Sequence, residues 1–173
     1  MRPNRFAVLL AATGAAALVV APRVASAQIQ AGCEPIVKAM NAEMNAPAFH
    51  RTVDMKMARA TMKMEVIKVD GQLFRRMNDG PWAKMPMDAA ALNQVNGELL
   101  KSGKLTLSGC NRVGDEAVGS VATVIYEYTS TMAGTQKPYA GRIWIGASDS
   151  LPYRSEFATT TQHTEFKGVK APQ

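Results

Sequence analysis

The sequence predicts an α+β fold in which one long, curved antiparallel sheet is covered by two helices. Three observations predict it. Most of the chain alternates apolar and polar residues with a period of two, the mark of half-buried strands. Two segments, 33–45 and 88–102, carry apolar residues at helical spacing instead. The strand segments are joined mostly by short turns, for which antiparallel pairing is the simple connection. A long antiparallel sheet twists and tends to curl. A helix that is apolar on one side only then lies across it, and the curl encloses a space that is either a filled core or a pocket.

Residues 1–27 have the layout of a secretory signal. Arg2 and Arg5 form a basic head, and an apolar run extends from Phe6 to Ala21, interrupted only by Thr13 and Gly14. Val24-Ala25-Ser26-Ala27 then places small residues where a signal peptidase reads. The run is shorter than the ~20 residues that span a bilayer. Cleavage after Ala27 and export to the periplasm are therefore expected. Removing 27 of the 173 residues leaves 146, enough for a single domain over 28–173. The leader holds three arginines (Arg2, Arg5, Arg23) and no acid, so the formal charge of +6 falls to +3. No basic run remains, which argues against a nucleic-acid partner. The mild cationic excess allows transient contact with a membrane surface, and a monomer is expected.

Both cysteines, Cys33 and Cys110, survive cleavage, and two cysteines in an oxidising compartment most often pair. Their bridge would tie the N-terminal segment to the middle of the domain. Ala31-Gly32-Cys33 also has the outline of a lipobox, the signal for lipidation of a cysteine. Gln30 does not fit that motif, and the apolar core ends about ten residues too early for it.

Cys33 to Asn45 is the first helix. Pro35 suits a first turn; Ile36, Met40 and Met44 recur at four-residue spacing beside Val37, and Pro47 ends the run. From Phe49 the period is two. Val53, Met55 and Met57 alternate with Thr52, Asp54 and Lys56, and Met62, Met64 and Val66 alternate with Lys63 and Glu65. Ile67 and Val69 move the apolar phase to the other parity, so a bulge or twist is expected near Val66. Asp70-Gly71 is a hairpin turn, Gln72 to Met77 a strand, Asn78-Asp79-Gly80 a second turn, and Pro81 to Met85 a short edge strand carrying Trp82.

In the second helix Asp88 is the N-cap and Gly103 the stop. Ala91, Leu92, Val95 and Leu99 form its apolar face, and Gly97 weakens it by up to ~1 kcal/mol relative to alanine. Leu105 to Val113 is a strand containing Cys110, turned by Gly114-Asp115-Glu116. Ala117 to Thr129 is a long strand on which Val118, Ala122, Val124, Tyr126 and Tyr128 share one parity, followed by a polar loop from Ser130 to Ala140. Arg142 to Gly146 is a strand, Ala147 to Ser150 a tight turn, Leu151 to Thr161 its returning partner, and Thr164 to Gly168 a last short strand. The sum is about eight strands, enough for the sheet to curl.

The segment Arg142-Ile-Trp-Ile-Gly-Ala-Ser-Asp-Ser-Leu-Pro-Tyr-Arg-Ser-Glu156 resembles the strand–turn–strand of the lipoprotein-carrier (LolA/LolB/LppX-like) superfamily. In that family a strand ending in an aromatic residue runs through an Asp-Gly-Leu-Pro-like turn into a strand with an alternating basic residue. The order of other parts agrees: Asp70-Gly71 after paired strands, Trp82 on a short strand, a helix, then Gly109 to Tyr128. Ser150 stands where the family usually has glycine, which leaves the turn type open. The resemblance implies a half-barrel with helices as a lid, sheltering acyl chains or similar apolar ligands. No residue role is carried over from it.

Methionine is the unusual component. Ten of the eleven follow the leader, and six form Met-x-Met pairs: Met55 with Met57, Met62 with Met64, Met85 with Met87. On a strand, residues i and i+2 share a face. Three readings stay open. Methionine fills irregular cores, it lines sites for apolar ligands of variable shape, and its soft thioether suits Cu(I) or Ag(I). His50 and His163 lie in neither pair, and with no His-Glu-x-x-His and no cysteine–histidine cluster a zinc site is not expected.

Gly-x-Ser-x-Gly and a phosphate-cradling loop are absent, and Asp115-Glu116 is read as a solvated turn. An enzyme is not expected, although a catalytic triad assembles in space and leaves no fixed spacing. Trp82 and Trp144 suit a core or a pocket wall; Trp144 shares parity with Arg142, opposite Ile143 and Ile145.

The reading is a non-enzymatic periplasmic carrier, with no cofactor and no metal. It holds an apolar ligand, such as lipid or lipoprotein acyl chains, between the concave sheet and helix 88–102. Met55, Met57, Met62, Met64, Val66 and Trp82 are the candidate cavity residues, with Leu92, Val95 and Leu99 as the lid. Two alternatives accompany it: a methionine-rich Cu(I)/Ag(I)-handling protein, and a closed-core adaptor whose partner is another protein.

Overall fold

A computed structural model describes residues 29–135 and 137–173; the leader expected at 1–27 lies outside the described residues. Among those described are the helices α1 (Glu34–Asn45) and α2 (Ala89–Lys101). Nine strands accompany them: β1 (Ala48–Lys56), β2 (Thr61–Val69), β3 (Gln72–Met77), β4 (Ala83–Lys84), β5 (Leu105–Val118), β6 (Val121–Met132), β7 (Tyr139–Gly146), β8 (Pro152–Phe157) and β9 (Thr160–Glu165). Every pairing is antiparallel, in the order β4-β3-β2-β1-β9-β8-β7-β6-β5. The two edges, β4 and β5, do not meet, so the curved sheet is a half-barrel.

The order has a simple origin. The first four strands meander away from β1, and the last five meander back from the far edge until β9 pairs with β1. Helix α2 joins the two edges, so it has to cross the concave side; its 13 residues reach ~20 Å. Its ends mark the crossing. Ala89 is buried with Met44, Phe49 and Leu73, and Leu100 packs against the cluster of Leu107, Cys110 and Ile143. As the spacing predicts, the Asp88 side chain caps the helix by accepting from the Ala91 amide at 2.8 Å, and Gly103 leaves it with φ +70°.

Helix α1 lies on the same concave side and is held at both ends. At its start Cys33 is bonded to Cys110 of β5, closing a loop of 77 positions. Chain entropy gives such a bridge an upper value of ~4.5 kcal/mol. A cysteine in a disulfide is not a lipidation site, so the bridge is the outcome and the lipobox outline is incidental. At the other end Lys68, buried on β2, donates from Nζ to the carbonyls of Met44 and Ala46 at 2.6 Å each. Burial pushes the Lys68 pKa down, while two acceptors and the negative end of the helix favour its charge.

Several boundaries depart from the sequence expectation. The β1–β2 register is continuous from Ala48↔Val69 to Lys56↔Thr61, with no bulge at Val66. The phase changes there because the outer face also carries apolar side chains at this point: Ile67 is buried opposite Phe74 of β3. The bulges fall in β5, at Ser108/Asn111 and Arg112/Gly114, and between β7 and β8 at Trp144/Ile145. Strand β5 therefore runs through Gly114-Asp115-Glu116 and turns only after Val118, and β6 continues to Met132. The expected strand 151–161 is a hairpin instead, with β8 and β9 joined at Ala158 and Thr159. Ala158 takes φ +52°, a left-handed turn conformation without the Gly, Asn or Asp that announces one. By contrast the announced Asp70-Gly71 turn has φ +50° and +76°, the pattern of a type I′ hairpin.

The turn after β7 resolves the question at Ser150. Ser150 adopts φ +60°, the conformation a glycine would take there. The turn is held by Asp149, which accepts from the Leu151 amide at 3.0 Å and from the Tyr153 hydroxyl at 2.7 Å. Burial and the neighbouring carboxylate push the Tyr153 pKa up to about 12, so this phenol stays a donor.

Candidate functional site

Strand register decides which side chains face the helices, because directly opposite residues project to the same side. One row across the concave face reads Tyr128–Gly141–Phe157–Thr160–Met55–Met62. The next reads Tyr126–Ile143–Ser155–Gln162–Val53–Met64–Met77. Ile143 and Ile145 therefore point inward, and Trp144 and Arg142 point outward.

Between this surface and the helices lies a cavity of about 220 Å³. Ile36, Met40 and Met44 of α1, Leu92 of α2, and Ile143, Pro152 and Phe157 of the sheet give it apolar walls. One side is polar. Glu43, buried on α1, pairs with the guanidinium of Arg51 on β1 (Nε to Oε1, 3.2 Å), and the Thr164 hydroxyl donates to the same carboxylate oxygen at 3.3 Å. A buried carboxylate left alone would be costly, and these partners offset that cost. Asn96, Ser155 and Gln162 complete the polar side. The cavity's volume is below the ~300 Å³ at which small-molecule sites usually begin.

A second hollow, of about 470 Å³, borders the first and shares Tyr128 and Phe157 with it. Gly141 sits between these two in register, and the Tyr128 ring lies over it: a β-carbon at 141 would come within 2.7 Å of the ring. The missing side chain is what lets the tyrosine lie flat at this boundary. Burial raises the Tyr128 pKa, so its hydroxyl stays protonated. The outer hollow is charged, with Arg142 paired to Glu127 at 2.7 Å and Glu156 beside them.

The nine residues expected to line the space are distributed by the structure. Leu92 lines the cavity. Val95, 43% exposed, and Leu99 lie along a shallow groove on another side of α2, with Gln94 and Lys104. The helix packs through Ala89, Leu92, Asn96 and Leu100, one step round from the stripe that includes Val95 and Leu99. Met55, Met62, Met64 and Val66 face the helix side but lie on β1 and β2, outside the cavity wall. Met57 follows the end of β1 and is 57% exposed.

Trp82 lies on the opposite face. There Arg76 stacks on its ring at 4.7 Å and His50 meets it edge-on at 6.3 Å. Both flank Glu65, which is buried and accepts from Arg76 at 2.6 Å and contacts His50 at 3.0 Å. The Arg76 guanidinium leads in holding the Glu65 pKa down at about 2. Trp144 is likewise covered on the outer face, donating to Glu116 at 2.8 Å beneath the Arg154 guanidinium at 4.5 Å. Among the described residues no three or more His, Cys, Asp or Glu side chains gather as a metal site.

Sequence reasoning missed Glu43, Arg51, Thr164, Tyr128 and Phe157 as site residues. Two of them carried a signal. Glu43 lies seven residues from Ile36, on the apolar stripe of α1, and Arg51 lies between Phe49 and Val53 on the buried parity of β1. A charge at an inward position on each of two successive elements points to their meeting.

No protein-family model matches the chain, and no curated protein does. Solved structures similar to it include the Mycobacterium tuberculosis lipoprotein LppX, 14% identical over 80% of this chain and 94% of that one, with a TM-score of 0.45. Another is a DUF1329 family protein from Desulfovibrio piger, 8% identical over 83% of this chain and 95% of that one, with a TM-score of 0.33.

Proposed function

We propose that this is an extracytoplasmic binding protein that takes a mainly apolar, amphipathic ligand such as an acyl chain beneath α1 and α2. The observation that carries this reading is the 220 Å³ space between the helices and the sheet, apolar along α1, Leu92, Ile143, Pro152 and Phe157 and polar at Glu43, Arg51, Asn96, Ser155, Gln162 and Thr164. The drive is apolar area removed from water, ~25 cal/mol per Å² before ordering costs. At this volume the cavity takes a short chain or one end of a longer one. A longer chain runs out past Tyr128 and Phe157. No bond is made or broken. The Cys33–Cys110 bridge suits an oxidising compartment, in keeping with the leader.

Calorimetric titration with octanoate and with a longer fatty acid tests this. Saturable one-to-one binding with a negative heat-capacity change is expected. Ser155→Phe, which puts an aromatic ring into the cavity, is expected to weaken binding at least tenfold while the protein tolerates the overpacking and still unfolds cooperatively. Absence of saturable binding, or equal binding by a folded Ser155→Phe protein, overturns the reading.

A further inference from the structure

We propose that Met55, Met62, Met64 and Met77 form a binding site for a soft monovalent metal ion, Cu(I) or Ag(I), separate from the cavity. The register brings them together. Met55 is directly opposite Met62, Met64 is directly opposite Met77, and Met62 and Met64 are two apart on β2. All four therefore project from one face of three adjacent strands. Directly opposite β-carbons stand ~4.5–5.5 Å apart and diagonal ones ~7–8 Å, so the unbranched thioether arms of Met62 and Met64 reach one ion together with that of Met55 or of Met77.

Their surroundings separate them from packing methionines. Met44, a core residue, is 8% exposed; these four are only half-buried and join neither buried cluster. The face they share is open to solvent, which lets an ion arrive. The donor set is all sulfur. His50 is engaged with Glu65 on the opposite face, and His163 pairs in register with Thr52 on that same outer side. Thioethers without imidazole or carboxylate favour Cu(I) and Ag(I) over Zn(II) or Cu(II). Arg75, two residues from Met77 on the same face, is exposed, where solvent and salt screen its charge.

The probe is Ag(I), titrated into the full exported chain carrying isotope-labelled methionine methyl groups. Saturation at one ion per chain is expected, with the methyl resonances of these four residues moving and those of Met87 and Met132 staying in place. The Met55→Leu/Met62→Leu/Met64→Leu variant is expected to lose saturable binding, while Met132→Leu keeps it. Leucine nearly conserves methionine volume, and near-UV circular dichroism checks that the triple variant folds. Should it not fold, the resonances of the unaltered protein still decide. The proposal is overturned if Ag(I) does not saturate, if other methionines respond instead, if Zn(II) moves the same resonances, or if the folded triple variant still binds. Failure of fatty-acid binding leaves this result untouched, and the reverse holds too.

Discussion

On the β5–β7 half of the sheet the inward residues Leu107, Cys110, Ile143 and Ile145 are all buried beneath α1 and the end of α2. On the β1–β3 half the same continuous face carries Met55, Met62, Met64 and Met77, none of them fully buried. Dimensions explain the difference. Nine strands at ~4.8 Å spacing measure roughly 38 Å between edge strands along the sheet. Helices of 12 and 13 residues are only ~18–20 Å long. Two such helices cover part of a curled surface. They close the β5–β7 half, leave a gap over β1, β9 and β8, and leave the far corner of β1–β3 bare. Cover is placed by anchors more than by local apolarity: the disulfide at one end of α1, Lys68 at the other, and Ala89 against Leu73.

Removing an anchor is the way to break that contrast. The largest effect is expected from Cys33→Ser with Cys110→Ser, which should lower the unfolding free energy by about 3–4 kcal/mol in denaturant titration. Hydrogen exchange should rise first in α1 and β5. An equal rise in β1–β3 would mean the two halves are not separately covered.

Lys68→Met should cost about 2 kcal/mol, because the carbonyls of Met44 and Ala46 lose a charged donor in a buried place. A thermal shift smaller than that of an exposed lysine substitution would remove Lys68 from the list of anchors.

Glu65→Gln probes the outer face of the β1–β3 half, where an ion network and not a helix joins β1, β2 and β3. Folded Glu65 titrates at about 2 instead of the ordinary 4.5. Its contribution is therefore complete above pH 4.5 and is lost as the pH falls through 2. Arg76, His50 and Lys63 are partly exposed, so screening leaves it on the order of 1 kcal/mol. The unaltered protein should lose stability across that window and the variant should show a flatter acid limb; parallel curves would deny the network this role.

Much of the architecture was legible in the chain. Period-two alternation marked the strands, the Asp88 cap and Gly103 stop bounded α2, Asp70-Gly71 turned the first hairpin, and two cysteines implied one bridge. All but the bridge depend on neighbours within a few residues, where backbone preference and side-chain spacing act directly; the bridge followed from there being two cysteines. The misplaced boundaries share a different cause. A glycine beside a bulge, such as Gly114, and one in a turn look alike in sequence, and Ala158 turns the chain with no turn residue because β8 and β9 pair on either side of it.

Tertiary structure alone decided which parity faces inward, so that Ile143 lies inside and Trp144 outside. It also decided that Glu43 meets Arg51 and Thr164, and that Tyr128 reaches over Gly141 toward Phe157. Alternation divides a strand into two faces without giving either a sign. The sign comes from where a distant helix is tied down, and contacts between strands remote in sequence exist only once the whole sheet is in register.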